Sequence, residues 1–277
     1  MERGALMKIV QFSAIDGGVG KSTLCFNFAE YLAFEGYKVL LVDKDHQAKV
    51  TQLYGIKNQT NTVANIYKES GEVDIQNVKP NIDIIKGYIN LDNVEDSLTT
   101  VSYKNMLFYG WLRDNRNSKN LDQYDYMVID THSDFRIASK NAATVSHAII
   151  APVRDSDHTD SAHLEFKIED FRKENINFST RESYVKAKLL RIGSILEHNT
   201  DLSIKFKEKI ENDERYVTYF PKRSVFNKSM SDGKSISQKY EDNELNRDEK
   251  QFMKEYKERM NTLKQAVDNA YQEIENA

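Results

Sequence analysis

Seven consecutive residues, Gly17-Gly18-Val19-Gly20-Lys21-Ser22-Thr23, constrain this chain more than any other segment. Three glycines let a backbone turn its N–H groups inward around an anion, and a lysine and a serine directly after them can reach phosphate oxygens and Mg²⁺. Ala14 and Ile15 stand at the front of the loop, so the longer pattern G-x-x-x-x-G-K-[ST] is not met, and the shorter form G-G-V-G-K-S-T is. The flanks supply the setting that such a loop requires. Lys8–Ser13 is a short apolar run suited to a first strand. Leu24, Phe28 and Leu32, with Ala29 and Ala33, recur at helical spacing, and Gly36 follows as a stop. A strand, a glycine loop and a helix in that order place the positive end of the helix dipole at the phosphate.

Further apolar runs at Tyr37–Val42, Asn81–Gly87, Tyr126–Ile129, His147–Val153 and Ala187–Leu196 predict buried strands, separated by helical stretches. Such alternation predicts an α/β fold, a mostly parallel sheet with helices on both faces. Residues 48–80 read as polar with short helical pieces, and 92–122 as weakly helical around Met106, Leu107, Phe108, Trp111 and Leu112. From about Asp242 the chain is highly charged and carries one narrow apolar stripe, Phe252, Tyr256, Met260, Leu263, Val267, Tyr271 and Ile274. That pattern predicts a long helix laid on the body or on a partner. The organisation expected is one α/β domain over 1–241 and a helical extension over 242–277.

The 277 residues suffice for one large α/β domain, and a net charge of −4 gives no bulk electrostatic case for nucleic-acid binding. One cysteine, Cys25, rules out a disulfide framework and fits a reducing compartment, where it reads as a small buried apolar residue. No apolar run approaches a membrane span and no signal-peptide pattern opens the chain, so the expectation is a cytoplasmic, soluble protein without membrane attachment. Met1–Leu6 read as a short leader or as residues before an alternative start at Met7.

Three carboxylates follow predicted strands, and in a parallel sheet such residues emerge at the carboxyl edge where ligands bind. Asp43 and Asp45 alternate around Lys44, so both face the loop if the strand continues that far. Asp130 ends the Tyr126–Ile129 run, a usual setting for a carboxylate that holds a Mg²⁺ water. Mg²⁺ takes few protein ligands and keeps several waters, so the Ser22 hydroxyl with outer-sphere carboxylates suffices to hold it. Asp45 is the candidate to orient an attacking water.

Gly17–Thr23, Asn27, Leu40-Leu41-Val42-Asp43-x-Asp45-x-Gln47 and Tyr124–Thr131 together resemble the ParA/MinD family of deviant Walker-A ATPases. The resemblance runs over roughly residues 7–240 and includes Pro221-Lys222-Arg223-Ser224, which is similar to the segment lining that family's adenine pocket. It implies a P-loop NTPase fold, ATP and Mg²⁺ as cofactors, and slow hydrolysis to ADP and phosphate coupled to dimerisation. It further implies a role in plasmid or chromosome partitioning through an adaptor protein. By position, Gly17, Gly18, Val19 and Gly20 form the loop, Lys21 binds the phosphates and Thr23 contacts the α-phosphate. Ser22 ligates Mg²⁺, supported by Asp43 and Asp130, Asp45 positions the water, and Pro221 lines the base pocket. The chain resembles the short type, without an N-terminal helix-turn-helix extension.

Three positions depart from the family pattern. Asp16 stands where an extra lysine reaches the partner subunit's phosphates in the ATP-bound dimer, and a carboxylate there repels them. Arg136, Lys140 and Arg154 are candidates for a substitute charge. His46 and His132 replace prolines and read as solvated loop residues. Lys222, Arg223, Lys228, Lys234 and Lys239 could form a nonspecific DNA surface, although Asp232 and Glu241 interrupt the series. The alternative function is a nucleotide-dependent scaffold or positioning protein with little hydrolysis. An electron-transfer reductase of related fold fails, because one cysteine cannot ligate a bridging iron–sulfur cluster.

Overall fold

The computed structural model describes residues 7–155, 161–197 and 200–276. The chain opens with β1 (Lys8–Phe12), α1 (Lys21–Phe34) and β2 (Val39–Lys44). Short helices α2 (Lys49–Leu53) and α3 (Ala64–Tyr67) lead to β3 (Gln76–Lys79) and β4 (Ile82–Ile85). Next come α4 (Leu91–Ser97), α5 (Leu107–Asn115), β5 (Tyr126–Thr131), α6 (Ile137–Val145), β6 (Ala148–Val153) and α7 (Ala162–Glu174). The chain continues through β7 (Lys188–Leu196), α8 (Asp201–Asn212) and β8 (Tyr216–Pro221), then α9 (Ser224–Asp232), α10 (Ile236–Glu241) and α11 (Arg247–Glu275).

These strands form one eight-stranded sheet in the order β3-β4-β2-β5-β1-β6-β7-β8, parallel throughout except for the β3–β4 hairpin. From β1 the chain first builds outward through β2 and β4, returns to place β5 beside β1, and then extends the other way through β6, β7 and β8. Ligands of open parallel sheets bind at the carboxyl ends of the strands where the order reverses. The glycine loop after β1 and the loop after β2 that carries Asp45 leave the sheet there, and Asp43 and Asp130 sit at the carboxyl ends of β2 and β5.

The strand residues alternate between two cores, which is why their sequences read as unbroken apolar runs. Val10, Phe12, Leu41, Tyr126 and Val128 pack with α1, α9, α10 and α11, whereas Ile9, Leu40, Val42, Met127 and Ile129 pack with α3 to α6. Two strands went unread in the sequence. β3 is polar and half exposed, and exists because it pairs antiparallel with β4. β8 alternates buried and half-buried residues against β7. The stretch read as one weak helix over 92–122 divides into α4, α5 and two single 3₁₀ turns.

The charged tail is α11, which starts with a reciprocal cap. Asn246 Oδ1 accepts from the Glu249 N–H, and the Glu249 carboxylate accepts from the Asn246 N–H. Its stripe from Phe252 to Val267 lies in the same core as α1. The Tyr256 hydroxyl donates to the Asn27 carbonyl (3.2 Å), and its ring meets Tyr31 edge-on at 6.2 Å. Asp268 accepts from Lys8 Nζ (2.7 Å) and from the Tyr126 hydroxyl (2.6 Å). Tyr256→Ala is therefore expected to cost about 3 kcal/mol in chemical denaturation, and Tyr256→Phe only about 1 kcal/mol. An alanine cost near that of a surface substitution would show that α11 is loosely docked.

Candidate nucleotide site

The loop between β1 and α1 turns through two glycines in the left-handed region, Gly18 at φ 76° and Gly20 at φ 81°. At Gly20 a Cβ would also stand 2.9 Å from Ser194 Oγ, so any other residue would have to displace that hydroxyl. Gly20 is the N-cap of α1 and has no side chain with which to cap the first turn. The N–H groups at the start of α1 are therefore left to an external acceptor, the arrangement that binds phosphate. The Ser194 hydroxyl donates to the Val19 carbonyl at 2.7 Å and ties the loop to β7.

Lys21 is buried and faces carboxylates. Its Nζ lies 2.8 Å from Asp130 Oδ1, 3.3 Å from Ser22 Oγ and 3.7 Å from Asp45 Oδ2. Burial acts to lower the lysine's pKa, but Asp130 and Asp45 outweigh it and hold the ammonium above its ordinary value. Asp130 is fully buried, its pKa raised by burial and by Asp45 against the opposing pull of Lys21. Its second oxygen, Oδ2, is buried without a hydrogen-bond partner. An orphaned carboxylate oxygen in the same corner as the Ser22 hydroxyl is a donor set suited to a hard cation such as Mg²⁺.

β2 runs two residues further than its apolar sequence, so Asp43 and Lys44 lie within the strand and point to opposite faces. Asp43 Oδ2 accepts from the Thr51 N–H (2.8 Å) and hydroxyl (2.7 Å), and Oδ1 from the Asp45 N–H (3.1 Å). Thr51 Oγ1 in turn accepts from the Gly87 N–H at 2.7 Å. Burial and then Asp130 push the Asp43 carboxyl up to about 7. Both of its oxygens are thus already engaged in shaping the turn after β2. Lys44, on the other face, is fully buried with its Nζ 3.2 Å from the Phe108 ring centroid. Burial drives that amine well below its usual range.

Asp45 closes the site. Its Oδ1 accepts from the Gln47 N–H (2.9 Å) and lies 3.2 Å from His132 Nδ1. Burial opposes ionisation, but Lys21, that N–H and His132 together keep the carboxyl below its ordinary value. The other side of the loop opens on a mainly apolar cleft walled by Thr23, Leu24, Ile195, Phe220, Pro221 and Phe226. Ile195 takes φ 56° at a bulge between β7 and β8. A β-branched residue held in that conformation is strained, and here it lines the cleft beside Gly20. Asn27 is buried behind the cleft, accepting from the Ile236 N–H (3.0 Å) and donating to Ser229 Oγ (3.1 Å), which fixes α9 and α10 against α1.

Lys21, Ser22, Asp45 and Asp130 thus converge, and Thr23 and Pro221 share the adjoining cleft. Asp16 is exposed at the rim, with Gly17 and Gly18. Of its candidate substitutes, Arg136 is paired with Asp96, and Lys140 stands 5.1 Å from the Phe171 ring centroid. Sequence reading missed Thr51, Ser194 and Ile195, and also Glu95, a buried carboxylate 2.6 Å from His46 Nε2. The left-handed Ile195 carries no sequence signal, and the others act through partners remote in the chain.

A family model described as an AAA domain matches residues 7–178. The chain is 28% identical over 240 residues to the sporulation initiation inhibitor protein Soj of Bacillus subtilis, covering 83% of this chain and 90% of Soj. This chain belongs to the ParA-like P-loop ATPases. A plasmid partition protein from Borrelia burgdorferi superposes with a TM-score of 0.65 at 25% identity, over 82% of this chain and 96% of that one. McdA from Cyanothece, in complex with ATP, has the same fold, with a TM-score of 0.74 at 15% identity over 97% and 98% of the two chains. The ParA-like relatives support a ParA-like ATP-binding protein and do not favour the alternative of a scaffold or positioning protein with little hydrolysis. No helix among the described residues is long and apolar enough to cross a membrane.

Proposed function

We propose that this ParA-like protein is a slow Mg²⁺-dependent ATPase that acts in plasmid or chromosome partitioning through an adaptor protein. The convergence of Lys21, Ser22, Asp45 and the unpartnered Asp130 Oδ2 around an uncapped helix start carries this reading. Bound Mg²⁺ would neutralise charge developing on the phosphates. With nucleotide bound, Lys21 would exchange its carboxylate contacts for phosphate, Ser22 and Asp130 would hold the cation, and Asp43 would support it from the β2 turn that it braces. Asp45, ionised and pinned at Oδ1, orients water with Oδ2. Thr23 contacts the α-phosphate, and the cleft at Ile195 and Pro221 accepts the base.

DNA binding has weaker structural support. Lys222 pairs with Glu197, Lys228 with Glu249, Lys234 with Asp242 and Lys239 with Asp232, so these cations are already partly neutralised. Dimerisation depends on Asp16. Sedimentation with Mg·ATP should show Asp16→Lys self-associating more strongly than the native chain. Equal behaviour of the two proteins would remove Asp16 as the determinant. The native protein should hydrolyse ATP slowly and retain DNA only at low salt. ATP binding without turnover would return the scaffold reading.

A further inference from the structure

His46 and His132, expected as solvated loop residues, instead stack on each other with ring centroids 4.4 Å apart and planes 9° from parallel. One ring nitrogen of each and a carboxylate oxygen of Asp134 lie within 4.8 Å of one another, all three residues partly buried. The loop after β2 contributes the first histidine, and the loop after β5 the second histidine and the aspartate.

Each of these residues has one polar atom already committed and another left over. His46 Nε2 is 2.6 Å from Oε2 of Glu95, a fully buried carboxylate whose Oε1 accepts from the Ala138 N–H. A carboxylate accepts, so in the neutral ring Nε2 carries the proton and the lone pair is on Nδ1. His132 Nδ1 is 3.2 Å from Asp45 Oδ1, which by the same argument leaves the lone pair on Nε2. Asp134 Oδ1 accepts from the Arg136 N–H at 3.2 Å and the Ser139 hydroxyl at 3.4 Å, and Oδ2 accepts no hydrogen bond among the described residues. Imidazole donating one N–H to a carboxylate while the other nitrogen binds metal is the usual outer-shell arrangement of metal-ligating histidine.

We propose that His46, His132 and Asp134 form a binding site for a borderline transition-metal ion of the Zn²⁺ class, separate from the Mg²⁺ corner at Ser22 and Asp130. Two imidazoles and one carboxylate select Zn²⁺, Ni²⁺ or Cu²⁺ over Mg²⁺, which prefers oxygen donors throughout. Three protein ligands leave a fourth position for water or an external ligand. Stacked rings cannot aim their in-plane lone pairs at one ion, so binding requires the two rings to tilt out of the stack, and both lie on loops rather than within strands. Glu95 and Asp45 then act as outer-shell partners. Through His132 the ion would hold Asp45 in the hydrogen bond it already makes, which links metal occupancy to the nucleotide site.

Equilibrium dialysis of the untagged, nucleotide-free full chain against ZnCl₂ tests the site without reference to ATP. The expected result is stoichiometric zinc that excess Mg²⁺ does not displace, weakened by about tenfold or more in His132→Ala and in Asp134→Asn. Bound Co²⁺ should show the visible bands of a four-coordinate ion, lost in His132→Ala. His46→Ala should behave alike. If it unfolds through loss of the Glu95 partner, His132→Ala and Asp134→Asn still decide the outcome. Absence of zinc binding, or binding that none of the variants weakens, would overturn the proposal. Because the readout contains no nucleotide, it stands or falls apart from the ATPase reading.

Discussion

Lys21→Ala should weaken ATP binding by about ten- to a hundredfold and lower the stability of the nucleotide-free fold by about 3 kcal/mol or more. The first effect is the loss of charged hydrogen bonds to phosphate. The second follows from the company that Lys21 keeps without nucleotide, since Asp45 and Asp130 are buried against it at 3.7 and 2.8 Å. Removing the cation leaves buried negative charge uncompensated. Relief comes through protonation, so the sign of the pH dependence is fixed. Asp130 already has a raised pKa and would rise further, binding a proton in the folded state at a pH where the unfolded chain has lost it. The stability lost in Lys21→Ala should therefore be largest in mild alkali and shrink as pH falls toward the ordinary carboxylate range. Urea denaturation of both proteins across that range measures it. A difference that stayed constant with pH would mean that Lys21 does not neutralise these carboxylates.

Asp45→Ala should retain ATP and lose turnover by about a hundredfold or more. The side chain is held at Oδ1 by the Gln47 N–H and His132, so its other oxygen has a defined position. It is also kept ionised by Lys21, as an acceptor for water must be. Asp45→Asn separates charge from shape, because the amide preserves size and loses the acceptor carboxylate. Nucleotide binding by calorimetry should stay within a few-fold of the native value in both variants. Unchanged hydrolysis in Asp45→Ala would assign the water to another group.

Much of this site was legible because its central pieces are local. The loop, its strand and its helix occupy one stretch of chain, and the alternation Asp43-Lys44-Asp45 needed only a strand long enough to carry it. β2 supplies that length, with Lys44 turned into the opposite core. What escaped sequence reading depends on residues brought together from afar. Glu95 meets His46 across 49 residues, and Ser194 reaches the Val19 carbonyl across 175. Two histidines separated by 86 positions stack only because β2 and β5 are neighbours in the sheet. β3 was missed for a related reason, since its polar residues become a strand through pairing with β4 rather than through their own pattern.

The attachment of α11 also ties the glycine loop to a distant part of the chain. Asn27, Tyr31 and Lys8, on the strand and helix that flank the loop, have partners at Tyr256 and Asp268, the last of these across 260 residues. Loosening α11 would therefore withdraw support from the helix on which the loop is mounted.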